Sequence, residues 1–291
     1  MVFGAVNALP VLEGAGIPGD PYQIATAEDL GAMCHYDPMA CYELVADIDL
    51  AGITWSTAPI PDFGGTFSGA GHVVSSLTVD GGAHLGLFGR LDPGASVANL
   101  GVEGARIVGA DLGRYLGTLA GQNRGDVASC YATGNIFSGD WARGVGGLVG
   151  ESGDQAYTES EGMIADSHAG VAISSGGYAV CLGGLVGCGW IDRSLRRCYA
   201  TGRVTAGEGS RSLGAVMGGL GTRASHIATA QCYFLVSVDA VELDTSIGAP
   251  LTDEQMKQQA SFTDWDFDAT WMICEGQDYP HLQWEGVSCD R

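Results

Sequence analysis

The sequence predicts an all-β protein, a parallel β-helix (β-solenoid) with short helical caps at its N- and C-terminal ends. The first observation is a glycine-bracketed phrase, Gly-Gly-Leu-Val-Gly, at residues 146–150 and 183–187, with looser copies at 117–121 and 214–218. The second is that the copies recur about every 30 residues, a period typical of solenoids and propellers. The third is composition, because 47 glycines accompany an apolar content of 46%, which is enough for a continuous core.

A second phrase follows each copy of the first. It reads Cys-Tyr-Ala-Thr-Gly at residues 130–134 and 198–202, with degenerate copies at 166–170 and 231–234. We expect each coil to contain a short apolar strand at the first phrase, a second strand at the second phrase, and a third near Ile136 or its equivalent. Three short strands cannot bury a face alone, so each should pair with the same strand of the neighbouring coils. A propeller would need about 40 residues and four strands per blade, more than these units contain.

The chain is strongly acidic. Its 13 lysines and arginines oppose 34 aspartates and glutamates, the net charge is −21, and Lys257 is the only lysine. This balance argues against nucleic acids and anionic membrane surfaces as partners, because their recognition needs basic patches. It permits bound cations or simply a very soluble surface.

No run of about 18 apolar residues is present, so we expect no membrane insertion. Residues 1–8 could be the end of a secretory signal peptide.

Residues 1–50 are predicted to form an N-terminal lead-in and cap with the first strand. A short helix should follow Thr26, because Thr26 and Asp29 have the spacing of a capping box. A strand is predicted at residues 42–50, where apolar side chains alternate with acidic ones. The repeats of the parallel β-helix then occupy residues 51–235.

Residues 236–291 depart from the repeat and are predicted to form a C-terminal helix and an aromatic-rich cap. Thr252 and Gln255 have the spacing of a second capping box. We expect the aromatic side chains that follow to cover the last open coil, because an uncovered coil presents unpaired strand edges. The alternative is an exposed platform that binds sugars. These aromatic residues are Phe262, Trp265, Phe267, Trp271, Tyr279 and Trp284.

Five of the nine cysteines lie in the repeats. Cys130, Cys198 and Cys232 occupy equivalent positions, so we expect them to stack as a buried ladder of small apolar side chains. A metal site is disfavoured, because these positions lack histidine or carboxylate neighbours at a fixed spacing and no Cys-x-x-Cys motif occurs. Cys181 and Cys188 flank one glycine phrase, and the sequence leaves their pairing open.

Four further cysteines lie near the ends of the chain. Cys34 is close enough in sequence to Cys41 for a disulfide in the N-terminal cap. Cys274 and Cys289 are similarly placed in the C-terminal cap. The sequence therefore predicts a disulfide at each end.

The two phrases resemble those of the GLUG-motif repeat family of bacterial surface and secreted proteins, which includes segments of filamentous-haemagglutinin-like adhesins and of some large secreted proteases. The resemblance covers roughly residues 18–285 and implies a right-handed parallel β-helix with an extracellular or cell-surface location. Ser167 replaces the ladder cysteine in one copy, and residues 214–218 are a degenerate copy of the glycine phrase. The family carries no agreed catalytic residues, so none is transferred. Segments that look like the family's flanks are residues 20–24, 46–50, 65–72 and 279–284.

Acidic residues are candidates for a binding or catalytic site. Asp154, Glu159 and Glu161 lie on the longest variable loop and are the candidate ligand- or cation-binding residues. They could hold calcium, although they lack the regular spacing of a calcium-binding repeat, and no other cofactor is implied. Asp47 and Asp49 share a strand face and are a candidate carboxylate pair for polysaccharide hydrolysis. A solvated strand face explains that pair equally simply.

The functional expectation is an extracellular β-helix scaffold or adhesion module that binds glycans or a host or neighbouring cell surface. One alternative is a polysaccharide-degrading β-helix enzyme, either a hydrolase or a lyase. A second is a self-assembling surface or filament subunit. His72 and His168 are lone histidines at repeat positions, and we expect them to pack between strands. No catalytic residue can be named from the sequence.

Overall fold

The computed structural model describes residues 9–153, 163–189, 195–220, 231–236 and 247–289. Over these ranges the chain forms the parallel β-helix that the sequence predicts. Strands of successive coils pair in parallel within a large sheet of 18 strands and a smaller sheet of 6 strands. A two-stranded antiparallel sheet lies near the C-terminus.

The secondary structure of the described residues consists of short strands with two short α-helices. The strands are β1 Tyr22–Ile24, β2 Cys41–Leu44, β3 Ile48–Asp49, β4 Thr54–Trp55, β5 Ile60–Phe63, β6 Thr66–Ser75, β7 Thr78–Leu85, β8 Phe88–Leu91, β9 Ser96–Leu116, β10 Ala120–Asn123, β11 Asp126–Ser138, β12 Arg143–Gly146, β13 Val149–Ser152, β14 Met163–Ala165, β15 His168–Ser175, β16 Val180–Gly183, β17 Val186–Gly189, β18 Leu195–Arg196, β19 Tyr199–Ala200, β20 Val204–Ala206, β21 Arg211–Gly214, β22 Met217–Leu220, β23 Tyr233–Leu235, β24 Ala249–Leu251, β25 Trp271–Met272 and β26 His281–Leu282. The helices are α1 Ala27–Ala32 and α2 Asp253–Met256, with 3-10 turns at Met33–His35, Gln259–Ser261 and Gln283–Glu285.

The coil that begins with β10 shows how the chain runs around the axis. After β10, strand β11 continues through both the second and the third predicted strands, bending at Ser129 (φ 51°) and Gly134 (φ 136°). It pairs in parallel with β9 on one side and with β14 and β15 on the other. The prediction of separate second and third strands is therefore wrong in this coil, because β11 keeps its pairing on both sides of each bend.

The glycine phrase contains a corner as well as the start of a strand, which corrects part of a second prediction. β12 ends at Gly146 in the large sheet, and β13 begins at Val149 in the small sheet. The two residues between them carry the chain from one sheet to the other. Leu148 and Val149 are fully buried, so the apolar half of the phrase fills the interior at this corner.

Crowding explains the glycines of this phrase. A Cβ atom built on Gly183 would lie within 3.0 Å of the carbonyl oxygen of Val186 and of the backbone nitrogen of Gly218 in the next coil. Glycine is required because neighbouring backbones approach too closely for any side chain. A left-handed backbone is not the reason at Gly183, because its φ lies outside the left-handed range, and several left-handed corners of the coils carry residues other than glycine. One such corner has Asn99, Ser129, Asp166, Arg197 and Gln231 in successive coils.

The predicted cysteine ladder is confirmed. Cys130, Cys198 and Cys232 are all buried and follow equivalent corners. Cys130 pairs with Leu100 on the preceding coil, and its backbone nitrogen donates to Ser167 Oγ on the next coil at 3.1 Å. Serine therefore fits the ladder position of the degenerate copy, because its hydroxyl oxygen accepts this backbone hydrogen bond.

The N-terminal cap begins as predicted. Thr26 Oγ1 accepts a hydrogen bond from Asp29 N, and Asp29 Oδ2 accepts one from Thr26 N, so the capping box is confirmed. Leu30 and Met33 are buried beneath α1. The strand predicted for residues 42–50 is interrupted and forms β2 and β3.

One of the two predicted disulfides is confirmed and the other is wrong. Cys274 is bonded to Cys289. Cys34 and Cys41 carry free thiols. Cys34 is exposed in the 3-10 turn after α1, where its Sγ donates to Gly31 O at 3.3 Å. Cys41 is instead held in β2 by its pairing with β6.

Residues 252–289, called the strap from here on, lie along one flank of the β-helix. α2 begins the strap with the predicted capping box between Thr252 and Gln255. Later parts of the strap contact earlier coils, so the strap runs back along the axis. Its tryptophans make ring contacts with Tyr233 (Trp265, 5.9 Å), His168 (Trp271, 6.1 Å) and Tyr131 (Trp284, 5.4 Å). The prediction that these aromatics cover the open last coil is corrected, since their described contacts lie on the lateral face.

The acidic surface predicts that salt stabilises the fold. A net charge of −21 makes the folded chain repel itself, and dissolved ions screen that repulsion. We expect the melting temperature to rise by roughly 5 °C or more between 0.05 and 1 M KCl, equivalent to about 1–2 kcal/mol for a chain of this size. Calorimetry over a series of KCl concentrations checks this. A melting temperature that stays flat or falls with KCl contradicts it.

Candidate functional site

The candidate loop acids cannot be placed. Asp154, Glu159 and Glu161 lie outside the described residues, so their grouping and the calcium site stay predictions. Within the described ranges, no group of three or more histidine, cysteine, aspartate or glutamate side chains is arranged to hold a metal ion. No helix in those ranges has the length and apolar character needed to cross a membrane.

Asp47 and Asp49 act as acceptors that join consecutive coils. Asp47 Oδ1 lies 3.0 Å from His72 Nδ1 and accepts a hydrogen bond from Val73 N at 3.0 Å. The bond from Val73 lowers the pKa of Asp47, and a side-chain hydrogen bond from Ser76 lowers the pKa of Asp49. The general acid of a glycosidase needs the opposite shift. The geometry therefore favours a structural role for this pair.

Four aromatic rings at one register position form the flank beneath the strap. Tyr131, His168, Tyr199 and Tyr233, called the tyrosine ladder, occupy one register position in successive coils. The His168 ring lies between Tyr131 at 5.1 Å and Tyr199 at 4.7 Å, nearly parallel to both. The packing role predicted for His168 is confirmed. Tyr199 Oη also donates to Pro280 O at 2.6 Å, which attaches the strap to the ladder.

A buried carboxylate locks the strap onto this flank. Glu285 Oε1 lies 3.0 Å from His168 Nε2, and Glu285 Oε2 lies 3.0 Å from His281 Nδ1. Burial alone would raise the pKa of Glu285, but the hydrogen bonds from both histidines outweigh it and lower the pKa to about 2. Burial alone would lower the pKa of His281, but its bond to Glu285 and that negative charge raise it. Charge pairing therefore holds the strap closed across 117 residues of sequence separation.

The strap is not the exposed sugar platform that the sequence allows as an alternative. Phe262, Trp265 and Trp271 are 3%, 7% and 0% exposed, because they pack on the tyrosine ladder and on one another. An open groove beside Phe262, Trp265 and Phe267 has a volume of about 760 Å³, but its aromatic floor is mostly covered.

Exposed apolar side chains lie instead along a protruding corner that recurs in three successive coils. The corner falls within β9, then between β11 and β12, then between β15 and β16. Leu112, Trp141 and Tyr178, called the corner ridge, are 69%, 55% and 48% exposed. Each backbone nitrogen donates to a carbonyl oxygen of the next coil at 2.8–2.9 Å, so the three residues stand one above another. The Trp141 and Tyr178 rings stack at 4.5 Å with an interplanar angle of 11°. Trp141 and Tyr178 therefore form a stacked aromatic pair that faces solvent, with Leu112 beside it on the preceding coil.

The backbone at the ridge makes the choice of bulky residues unusual. Leu112, Trp141 and Tyr178 have φ of 61°, 61° and 57°, a left-handed conformation that disfavours large side chains. Gly209 occupies the equivalent corner of the next coil, with φ 74°. Glycine adopts this left-handed conformation at a lower cost than leucine, tryptophan or tyrosine does. The aromatic residues therefore occupy a position where folding alone would favour glycine.

Carboxylates flank the ridge. Asp111 Oδ1 accepts a hydrogen bond from Asp140 N at 2.9 Å, and Asp140 Oδ1 accepts one from Gly177 N at 2.7 Å. Glu208 lies exposed at the same corner of the following coil. Each bond fixes an acid of one coil on the backbone of the next. The result is an aromatic row with a rigid row of acids beside it.

Sequence reasoning missed the corner ridge. The signal was present, because Asp111-Leu112 and Asp140-Trp141 repeat at the coil period, and Tyr178 follows at the next coil. Loop lengths vary between the phrases, so alignment on the phrases alone did not bring these residues into register. The backbone pairing of adjacent coils was needed to align them.

Comparisons with known proteins support the fold more than any activity. No family model matches the chain, so membership of the GLUG-motif family stays a prediction. Halomucin of Haloquadratum walsbyi is 33% identical over an alignment of 160 residues that covers 50% of this chain and 2% of halomucin. The chain is also similar to a crystal structure of a proposed immunoglobulin A1 protease from Bacteroides ovatus, with a TM-score of 0.68 and 20% identity, covering 93% of this chain and 94% of that one. At this identity the second likeness shows a shared fold alone.

Proposed function

We propose that this chain is an extracellular or cell-surface β-helix module that binds neutral glycans through the corner ridge. The stacked and exposed pair of Trp141 and Tyr178 carries the proposal. Aromatic side chains combine a large apolar surface with a defined shape, and exposed rows of them mark binding sites. The apolar C–H faces of sugar rings are suited to contact with such a row.

The acids beside the ridge support the choice of a neutral glycan. Asp111 and Asp140 are fixed next to the aromatic row and can accept hydrogen bonds from sugar hydroxyl groups. The net charge of −21 repels acidic polysaccharides. Uncharged sugars therefore match both features.

The extracellular location is supported by three observations. The Cys274–Cys289 disulfide is typical of an oxidising compartment. The repeat phrases resemble those of secreted and surface proteins, and half of the chain matches part of halomucin.

Affinity electrophoresis through gels that contain neutral or acidic polysaccharides tests the proposal. We expect at least one neutral polysaccharide to retard the protein, and Trp141→Ala or Tyr178→Ala to weaken binding about tenfold, since an aromatic contact contributes about 1 kcal/mol or more. Met39→Ala is the matched control, because Met39 is 64% exposed at the far N-terminal end. Retardation only by acidic polysaccharides, or unchanged binding in the Trp141→Ala and Tyr178→Ala double variant, contradicts the proposal. New reducing ends in the same incubations would favour the enzyme alternative.

A further inference from the structure

Cys198 and Cys232 are neighbours in the interior of adjacent coils. β19 and β23 pair with Tyr199 opposite Tyr233, and Tyr233 N donates to Cys198 O at 2.9 Å. The preceding corner residues, Arg197 and Gln231, share a left-handed backbone with φ of 48° and 59°. The two cysteine side chains therefore leave equivalent positions in the same direction. Adjacent strands are about 4.8 Å apart, which is within the Cα separation that a disulfide spans.

The thiols of this pair also contact each other. Both side chains are buried, and their sulfur atoms lie within hydrogen-bonding range of one another. Burial raises the pKa of the Cys198 thiol well above its ordinary value, whereas the hydrogen bond with Cys198 lowers the pKa of the Cys232 thiol. Both side chains are shielded from solvent, so dissolved oxidants have little access to them in the folded chain. A bond between these sulfurs would have to form while the coil is still assembling.

Cys181 and Cys188 form a second pair by a different geometry. They lie on β16 and β17, on either side of the glycine phrase of one coil. Cys188 pairs with Gly219 of the next coil, and a Cβ atom at Gly219 would lie 2.8 Å from Cys181 Sγ. The Cys181 thiol thus fills the space that this glycine leaves beside Cys188. Both side chains are buried, and the two thiols are in hydrogen-bonding contact.

We propose that Cys198 bonds to Cys232, and Cys181 to Cys188, as disulfides in the mature protein. In each pair the two S–H bonds break, one S–S bond forms, and two protons and two electrons leave. The electrons reduce the disulfide of a thiol–disulfide oxidoreductase, or of oxidised glutathione, to two thiols. One bond would staple adjacent coils, and the other would fix the glycine corner. The proposal rests on the extracellular location proposed above, because such bonds persist in oxidising compartments.

The chain supplies its own control. Cys130 occupies the same ladder, but its neighbours are Leu100 and Ser167, neither of which carries a thiol. Cys34 and Cys41 carry free thiols in the structure, as do the four cysteines of the two proposed pairs. Of nine cysteines, six should therefore be paired, counting Cys274 and Cys289, and three should remain as thiols.

Peptide mapping of the full chain after secretion through an oxidising compartment tests the inference. The protein is denatured in an alkylating reagent without reductant, digested and analysed by mass spectrometry. We expect linked peptides for 198–232, 181–188 and 274–289, and complete alkylation of Cys34, Cys41 and Cys130. Alkylation of the four repeat cysteines while 274–289 stays linked would overturn this inference and leave the extracellular proposal standing. Alkylation of all nine would count against both.

Discussion

Gly183→Ala is expected to destabilise the fold by about 4 kcal/mol or more, enough to prevent folding of a protein of ordinary stability. The new methyl group would meet the carbonyl oxygen of Val186 and the backbone nitrogen of Gly218 within 3.0 Å. Both obstacles are backbone atoms in paired strands, so neither can move without breaking ladder hydrogen bonds. Chemical denaturation followed by circular dichroism measures the change.

Gly82→Ala is the matched control. No heavy atom lies within 4 Å of a Cβ at Gly82, and its φ is outside the left-handed range. This variant should be neutral or slightly stabilised, because alanine restricts the unfolded chain. If Gly183→Ala proved as stable as Gly82→Ala, close approach of backbones would not explain the repeated phrase.

Glu285→Gln is expected to loosen the strap and destabilise the protein by about 3 kcal/mol. Moving the pKa of a carboxyl from 4.5 to about 2 corresponds to roughly that free energy, and breaking a buried ion pair has a similar cost. The substitution keeps the shape of the side chain but removes the charge that faces His168 and His281. Thermal unfolding and limited proteolysis of the strap, with exposed Glu254→Gln as control, measure the effect.

The same carboxylate fixes the pH dependence of the strap. The lowered pKa of Glu285 gives stability that is present above about pH 4.5 and lost as the pH falls towards 2. The raised pKa of His281 gives stability that is present below about pH 6.5 and lost as the pH rises through the raised value. The strap should therefore resist proteolysis best between these limits, and Glu285→Gln should flatten the profile. An unchanged profile in that variant would show that the network does not hold the strap.

Local features of the fold could be predicted from the sequence. Both capping boxes are set by residues three positions apart, and the cysteine ladder follows from the repeat period alone. The position of the strap could not be predicted, because it depends on the contact of Glu285 with His168, 117 residues away. The role of the glycine phrase was misjudged for a related reason, since the crowding at Gly183 comes from the next coil.

The candidate site, too, could be predicted only in part from the sequence. Composition drew attention to acids and aromatics, but it could not separate buried rings from exposed ones. Trp271 and Trp141 are equally apolar in sequence, yet one is covered by the tyrosine ladder and the other stands on a corner. The difference depends on which flank of the coils the strap covers, and no local pattern encodes that.

Oxidative footprinting by mass spectrometry, with and without a saturating neutral oligosaccharide that the protein binds, tests the glycan-binding ridge most directly. We expect oxidation of Trp141 and Tyr178 to fall several-fold when the sugar is present, while oxidation of Met39 stays unchanged. Unchanged labelling of Trp141 and Tyr178, with protection moved to Phe267 and Tyr279 on the strap, would contradict the account.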